Sequence, residues 1–98
     1  MTADGNGKVS VWYDVTGVGL MDEIGSTTIT IYENGKAVKT FYYSTTPSMM
    51  SYNYFFHGGS VSYSGVAGRS YYASVTVWAA KQGGGDSRNK TTLSITAT

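Results

Sequence analysis

The stretch from Gly65 to Ala80, GVAGRSYYASVTVWAA, decides the fold. A glycine-bearing turn leads into a long alternating run. Tyr71, Ala73, Val75, Val77 and Ala79 share one face, and Tyr72, Ser74, Thr76, Trp78 and Ala80 share the other. A period of two sustained over that length is a β-strand with one buried face. The strand is predicted over Ser70 to Ala80.

Working towards the N-terminus, Val61 and Tyr63 point inward on a short strand, Ser60 to Ser64. Thr45 to Phe56 reads as irregular. It holds the only proline, Pro47, and then Met49, Met50, Tyr52, Tyr54, Phe55 and Phe56. So apolar a segment is expected to cross between two sheets and cover one end of the core, with Gly58-Gly59 ending it. Lys36 to Ser44 and Ser26 to Glu33 are strands joined at Asn34-Gly35. That dipeptide accepts the positive φ angles of a type I′ hairpin turn. Gly17 to Gly25 reads as a loop, a further short strand has room near Gly17 to Ile24 or in the crossover, and Lys8 to Val15 reads as the first strand.

Towards the C-terminus, Gly83-Gly84-Gly85-Asp86 reads as a flexible loop. Lys90 to Thr98 is a last strand, with Leu93, Ile95 and Ala97 inward. No apolar stripe at helical spacing exceeds two turns, and abundant glycine and β-branched residues disfavour helix. Residues 1–7 are expected to be a flexible segment, an initiator methionine on a trimmed terminus with a signal segment removed. Residues 8–98 form a single domain.

Composition narrows the class. At 98 residues the chain supports one core. Charged residues make up 13%, about half the usual share, so Ser, Thr, Gly and Tyr fill the polar surface. That balance suits an extracellular β domain. A net charge of +1 and scattered Lys and Arg give no footprint for nucleic acid or anionic lipid. The absence of cysteine removes disulfides and thiolate metal sites. No apolar stretch reaches membrane-span length, so no membrane insertion is expected.

Ser64 to Thr92 resembles the last three strands of fibronectin type III and related immunoglobulin-like domains. The resemblance rests on Gly65, Gly68, Tyr71, Ala73, Val75, Val77 and the Gly/Ser-rich Gly83 to Ser87. It implies a tyrosine corner, in which the Tyr71 hydroxyl bonds backbone near Gly65 to Ala67. The chain departs from those families in lacking their core Trp on the second strand, their prolines and the immunoglobulin cysteines. Ile24-Gly25, Ile29 to Tyr32 and Gly68 to Ala73 are also similar to small secreted bacterial domains. That likeness implies export and a sandwich, and no activity.

The expected fold is therefore all-β, an antiparallel immunoglobulin-like β-sandwich of about seven strands, with a barrel as the alternative. One sheet would pair the second strand with the first and fourth, and the other would pair the third, fifth and sixth. The expected core is Val9, Val11, Ile29, Ile31, Val61, Tyr71, Val75, Val77, Leu93 and Ile95.

Few residues offer chemistry. His57 is the only histidine, and a Ser60-His57-Asp86 triad is writable on paper; a turn histidine beside Gly58-Gly59 is the plainer reading. Asp22-Glu23 with Asp14 or Asp86 lacks calcium-loop spacing. The glycine strings have no following helix to make a phosphate cradle. The aromatic surplus is more informative. Trp12, Tyr72 and Trp78 fall on the faces opposite the valines, where exposed rings stack on sugars or partner proteins. They are the expected ligand-binding residues; no catalytic residue, metal or cofactor is assigned. The expected function is a non-catalytic secreted or cell-surface module, structural or adhesive. The alternative is a carbohydrate-binding module using those three aromatics. A protein or a glycan partner is open, as is the oligomeric state.

Overall fold

The computed structural model describes Met1–Thr98. Its strands are β1 (Thr2–Gly5), β2 (Lys8–Glu33), β3 (Lys36–Tyr42), β4 (Met50–Ser64), β5 (Ser70–Lys81), β6 (Gly84–Thr91) and β7 (Ile95–Thr96). A 3-10 turn, Pro47–Met49, is the one helical piece. All seven strands belong to one antiparallel sheet that curls into a half-barrel.

The curl comes from β2. Its 26 residues would reach about 85 Å if straight, yet the longest dimension of the molecule is 45 Å. Two irregularities bend it. Gly17 to Leu20 lie between Thr16 and Met21, while only Phe55 separates the partner residues Phe56 and Tyr54. A second shift falls between Ser26 and Thr28 against β5. Extra residues in one strand bend it and sharpen its twist. Beside the second shift sits Gly25, where a Cβ would collide with the Met49 carbonyl oxygen.

The segment expected to be a loop is thus the bent middle of a continuous strand. The expected crossover is likewise mostly strand: Met50 to Phe56 pair with β2 ahead of Ser60–Ser64. Gly58 and Gly59 stay in the ladder opposite Asp14 and Tyr13. The bend also changes the sheet plan. The segments expected as strands one and four pair directly with each other, and Ser26–Glu33, expected between them, pairs instead with β3 and β5. The hairpin at Asn34-Gly35 has the expected positive φ angles, 49° and 85°.

The bend brings both halves of β2 into one core. Val9, Val11 and Val61 cluster with Ile29, Ile31, Tyr71, Ala73 and Val75, joined by Met49 and Ala97. Val77 and Ile95 pack against the cluster half-buried. Leu93 is a correction: it is 89% exposed. The last expected strand begins earlier, because Gly84–Thr91 pairs along β5 across a turn at Gln82-Gly83 with positive φ. The chain then leaves the sheet, Leu93 turns outward, and β7 returns to pair with Ser70 and Tyr71. Residues 1–7 hold β1, paired with β2 over Lys8 to Ser10.

The tyrosine corner is present. Val66 N–H donates to the Tyr71 hydroxyl at 2.8 Å, and that hydroxyl donates to the Glu33 carboxylate. Gly65 makes the approach possible, since a Cβ there would lie 2.5 Å from the phenol oxygen. A buried phenol needs such partners, because an unpaired hydroxyl costs free energy.

Candidate functional site

Past Ser10, where β1 stops, the same edge of β2 has no strand partner until Glu23 meets Ala80. This open seam is where the half-barrel fails to close. Alternation places Val11 on the core face, so Trp12 and Asp14 face outward. Trp12 is 63% exposed. Its Nε1–H donates to Thr2 Oγ1 at 3.2 Å, and Thr2 in turn donates to Asp4 at 3.1 Å. The indole is therefore positioned by β1 while its ring remains exposed.

Trp12, Tyr13 and Asp14 form one side of a cleft of about 690 Å³, within the ordinary size range of ligand pockets. Phe56, Gly58, Gly59 and Ser60 of β4 line it as well, and Val75, Lys90, Thr91 and Thr92 complete it across the seam. The two glycines contribute no side chains. A Cβ on Gly58 would sit 3.2 Å from the Phe56 ring, and one on Gly59 would sit 2.9 Å from the Tyr13 hydroxyl. Aromatic faces thus stand beside a carboxylate, an ammonium group and several hydroxyls.

Tyr72 lies elsewhere. Its ring stacks on Tyr32 at 4.8 Å, only 9° from parallel. The pair lines a second cleft of about 480 Å³ with Ser74 and Ser94. Thr91 and Thr92 line both clefts, so the two adjoin. Trp78 lines neither. It shares an outward face with Tyr72 but stands six residues along, about 20 Å away. Asn89 lies between them, donating to Ser74 at 2.8 Å and Thr76 at 3.0 Å. The Trp78 ring covers Gly85, where a Cβ would run into the indole. The three expected ligand-binding aromatics therefore do not form one platform: Trp12 and Tyr72 serve neighbouring clefts, and Trp78 packs over an edge glycine.

His57 is buried on the core side of β4. The Tyr13 hydroxyl donates to the Met49 carbonyl at 3.3 Å, which uses its one proton. His57 Nε2, 3.1 Å away, then donates to the Tyr13 oxygen, and Nδ1 accepts from the Ser51 hydroxyl at 2.7 Å. Burial holds the imidazole below its ordinary value and pushes the Tyr13 phenol up to about 12. No carboxylate joins this chain. Ser60 lines the cleft instead, and Asp86 bonds Arg88 at 3.4 Å, so the triad written from sequence is not assembled. Asp22 accepts from Gln82 N–H at 2.9 Å, fixing the turn between β5 and β6.

Neither family models, nor curated proteins, nor solved structures match this chain. The site is accordingly read from its own chemistry. Sequence alternation finds Trp12 as an outward ring. It misses Phe56, Asp14 and Lys90 as its companions. Their convergence depends on the bend in β2, and the only local sign of that bend is the spacing of Gly17, Gly19 and Gly25.

Proposed function

We propose that the protein is a non-catalytic module of the cell exterior, secreted or surface-bound, of the small bacterial immunoglobulin-like kind, and that its adhesive surface is a carbohydrate-binding cleft at the seam. The observation that carries this reading is Trp12, exposed, fixed at its Nε1 by Thr2 and set beside Asp14. A flat apolar ring stacks on the apolar face of a sugar, and carboxylate, ammonium and hydroxyl groups bond its hydroxyls. Gly58 lets the Phe56 ring lie close over the backbone of β4, which adds a second aromatic ring to the cleft. The adjoining Tyr32–Tyr72 cleft extends the surface beyond one sugar, which favours a chain over a monosaccharide.

Two features support the immunoglobulin-like, sandwich reading. One is the corner at Tyr71. The other is the packing of both halves of β2 into one core. The charge-poor surface, rich in Ser, Thr, Gly and Tyr, supports an exterior location. The engagement of His57 by Ser51 and Tyr13 supports a structural role for that residue.

Tryptophan fluorescence tests the glycan reading. In a Trp78→Phe variant the remaining emission comes from Trp12 and is expected to be red-shifted. Binding of a polysaccharide from a glycan array should move it blue, and Trp12→Ala should abolish that binding. Full binding by the Trp12→Ala variant, or no response to any glycan, would remove the cleft from the proposal.

A further inference from the structure

We infer that the free edge of β4 is a self-association surface whose occupant is β4 of a second copy of this chain, paired antiparallel about a two-fold axis. β4 is hydrogen-bonded only to β2, so its other edge is open over 15 residues. Alternate residues of a strand turn their N–H and C=O groups to opposite edges. About half of the β4 backbone therefore presents unpaired groups to solvent. Natural proteins guard such edges with charges, prolines or bulges.

The other edges here are guarded. β3 carries Lys36 and Lys39, β6 carries Asp86, Arg88 and Lys90, and β1 carries Asp4. β4 has no Asp, Glu, Lys or Arg anywhere in its length, and its one histidine is buried inward. Asn53, with φ of 54°, interrupts the edge at one point. Beyond it, Tyr54 to Ser64 runs unbroken to the end of the strand.

Charge selects the occupant. A strand paired antiparallel with its own copy places like side chains near one another, and like charges across a ladder are destabilising. Self-pairing would crowd the lysines of β3, whereas β4 brings no charge to its own copy. The net charge of +1 sets up no long-range repulsion between copies. The strand surface is also apolar: Tyr52, Tyr54 and Phe55 are each about half exposed and together present about 300 Å² of aromatic surface that a second copy would cover. A two-fold contact closes at two copies and does not propagate.

Sedimentation equilibrium over a range of protein concentrations should show a reversible monomer–dimer equilibrium. Tyr54→Lys with Phe55→Lys should weaken dimerisation by about tenfold or more, because each places an ammonium group on the edge that the second copy has to cover. Leu93→Lys, on an exposed side chain outside β4, should leave it unchanged. Hydrogen exchange on the wild-type chain gives a readout free of folding effects: amides within Tyr54 to Ser64 should gain protection as concentration rises. Four results would each overturn the proposal: a monomer at all concentrations, a dimer unaffected by the paired lysines, concentration-dependent protection on β3 or β6 instead, or open-ended fibres. Neither Tyr54 nor Phe55 lines the Trp12 cleft. Glycan titration of the paired-lysine variant therefore keeps this result separate from the binding reading.

Discussion

The two ends of the curled sheet treat their large side chains in opposite ways. At the base, where both ends of β2 lie, Tyr71 is fully buried and its hydroxyl bonds both Val66 N–H and Glu33. Around it Arg69 pairs with Glu33 at 2.9 Å, Asn34 N–H donates to Ser70 O at 2.9 Å, and Gly65 N–H donates to Gly7 O at 3.1 Å. At the bend, Val18, Leu20, Tyr52 and Phe55 are exposed instead. One sequence makes both regions from the same elements, glycines and aromatics. The base uses glycine to bring backbone against a ring, and the bend uses it to turn a strand without ending it. Stability within a fold tracks buried apolar contact and protected hydrogen bonds, so the base should open last and the bend first.

The sharpest way to break this contrast is to place the same charge at both ends. Ile31→Asp buries an unpaired carboxylate in the shared core, at a cost of several kcal/mol. Domains of this size have only about 5–15 kcal/mol in total, so the variant should be largely unfolded by circular dichroism at ambient temperature. Leu20→Asp at the bend should melt within a few degrees of the wild type. Equal damage from both would mean that the bend is as tightly packed as the base.

The bend nevertheless has one rigid point. Gly25 faces the Met49 carbonyl so closely that any Cβ collides with backbone. Gly25→Ala should therefore cost about 2 kcal/mol or more, because neither backbone segment yields easily. Gly19→Ala, with only the Lys81 ammonium nearby at 3.9 Å, should be close to neutral. Urea unfolding of the two variants measures the difference.

Tyr71→Phe comes next. It removes a buried hydroxyl that accepts from Val66 N–H and donates to the Glu33 carboxylate, for about 1–3 kcal/mol. Tyr54→Phe, which loses only a solvent-facing hydroxyl, should change nothing measurable. A Tyr71→Phe variant as stable as wild type would show that water replaces the corner.

Much of the base was legible in the sequence. Alternation marks the Tyr71-Ala73-Val75 face, and a phenol locked into that face needs a hydrogen-bond partner; the resemblance to fibronectin type III domains is what implies a partner near Gly65 to Ala67. Asn34-Gly35 announces its turn by the positive φ it tolerates. The bend was not legible, for a physical reason: Gly17-Val18-Gly19-Leu20 ends a strand if nothing pairs beside it and bulges a strand if something does. The partner, β4, lies some thirty residues away and carries its own misleading glycines. β6 is similar. Gly84-Gly85-Asp86 has no strand propensity and is held by the β5 ladder and by Trp78 lying over Gly85, a ring-over-glycine contact that stabilises weak edges. The same reason limits the site. Alternation gives the face of Trp12, but only the bend decides that Phe56 and Lys90 arrive beside it.

Acid should act on the base first through Glu33. The Tyr71 hydroxyl, and after it Arg69, holds this carboxyl below its ordinary value of 4.5. A depressed carboxylate contributes stability above its unfolded pKa and loses it as pH falls through the folded one. Below about pH 4.5 the wild type should therefore lose stability more steeply than Glu33→Gln. Parallel acid limbs for the two proteins would show that Glu33 is as free in the fold as in the unfolded chain.

The smallest effect expected lies at His57, between the two regions, in a higher pH window. Burial alone holds its imidazole below 6.5, and the groups that touch it, Ser51 and Tyr13, are neutral. Above pH 6.5 the ring is neutral in both folded and unfolded chains and adds no slope. Below 6.5 the unfolded chain takes up a proton that the folded chain refuses, so stability should fall as pH drops towards the folded value. Urea midpoints measured between neutral and mildly acidic pH should slope for the wild type and flatten for His57→Gln. The hydrogen bonds keep the slope shallow: a protonated ring can donate to both Ser51 and Tyr13 once the Ser51 hydroxyl rotates, leaving only desolvation to oppose the charge. A stability that rose on acidification through this window would require the fold to prefer imidazolium, and no acid stands within hydrogen-bond reach of the ring to supply that preference.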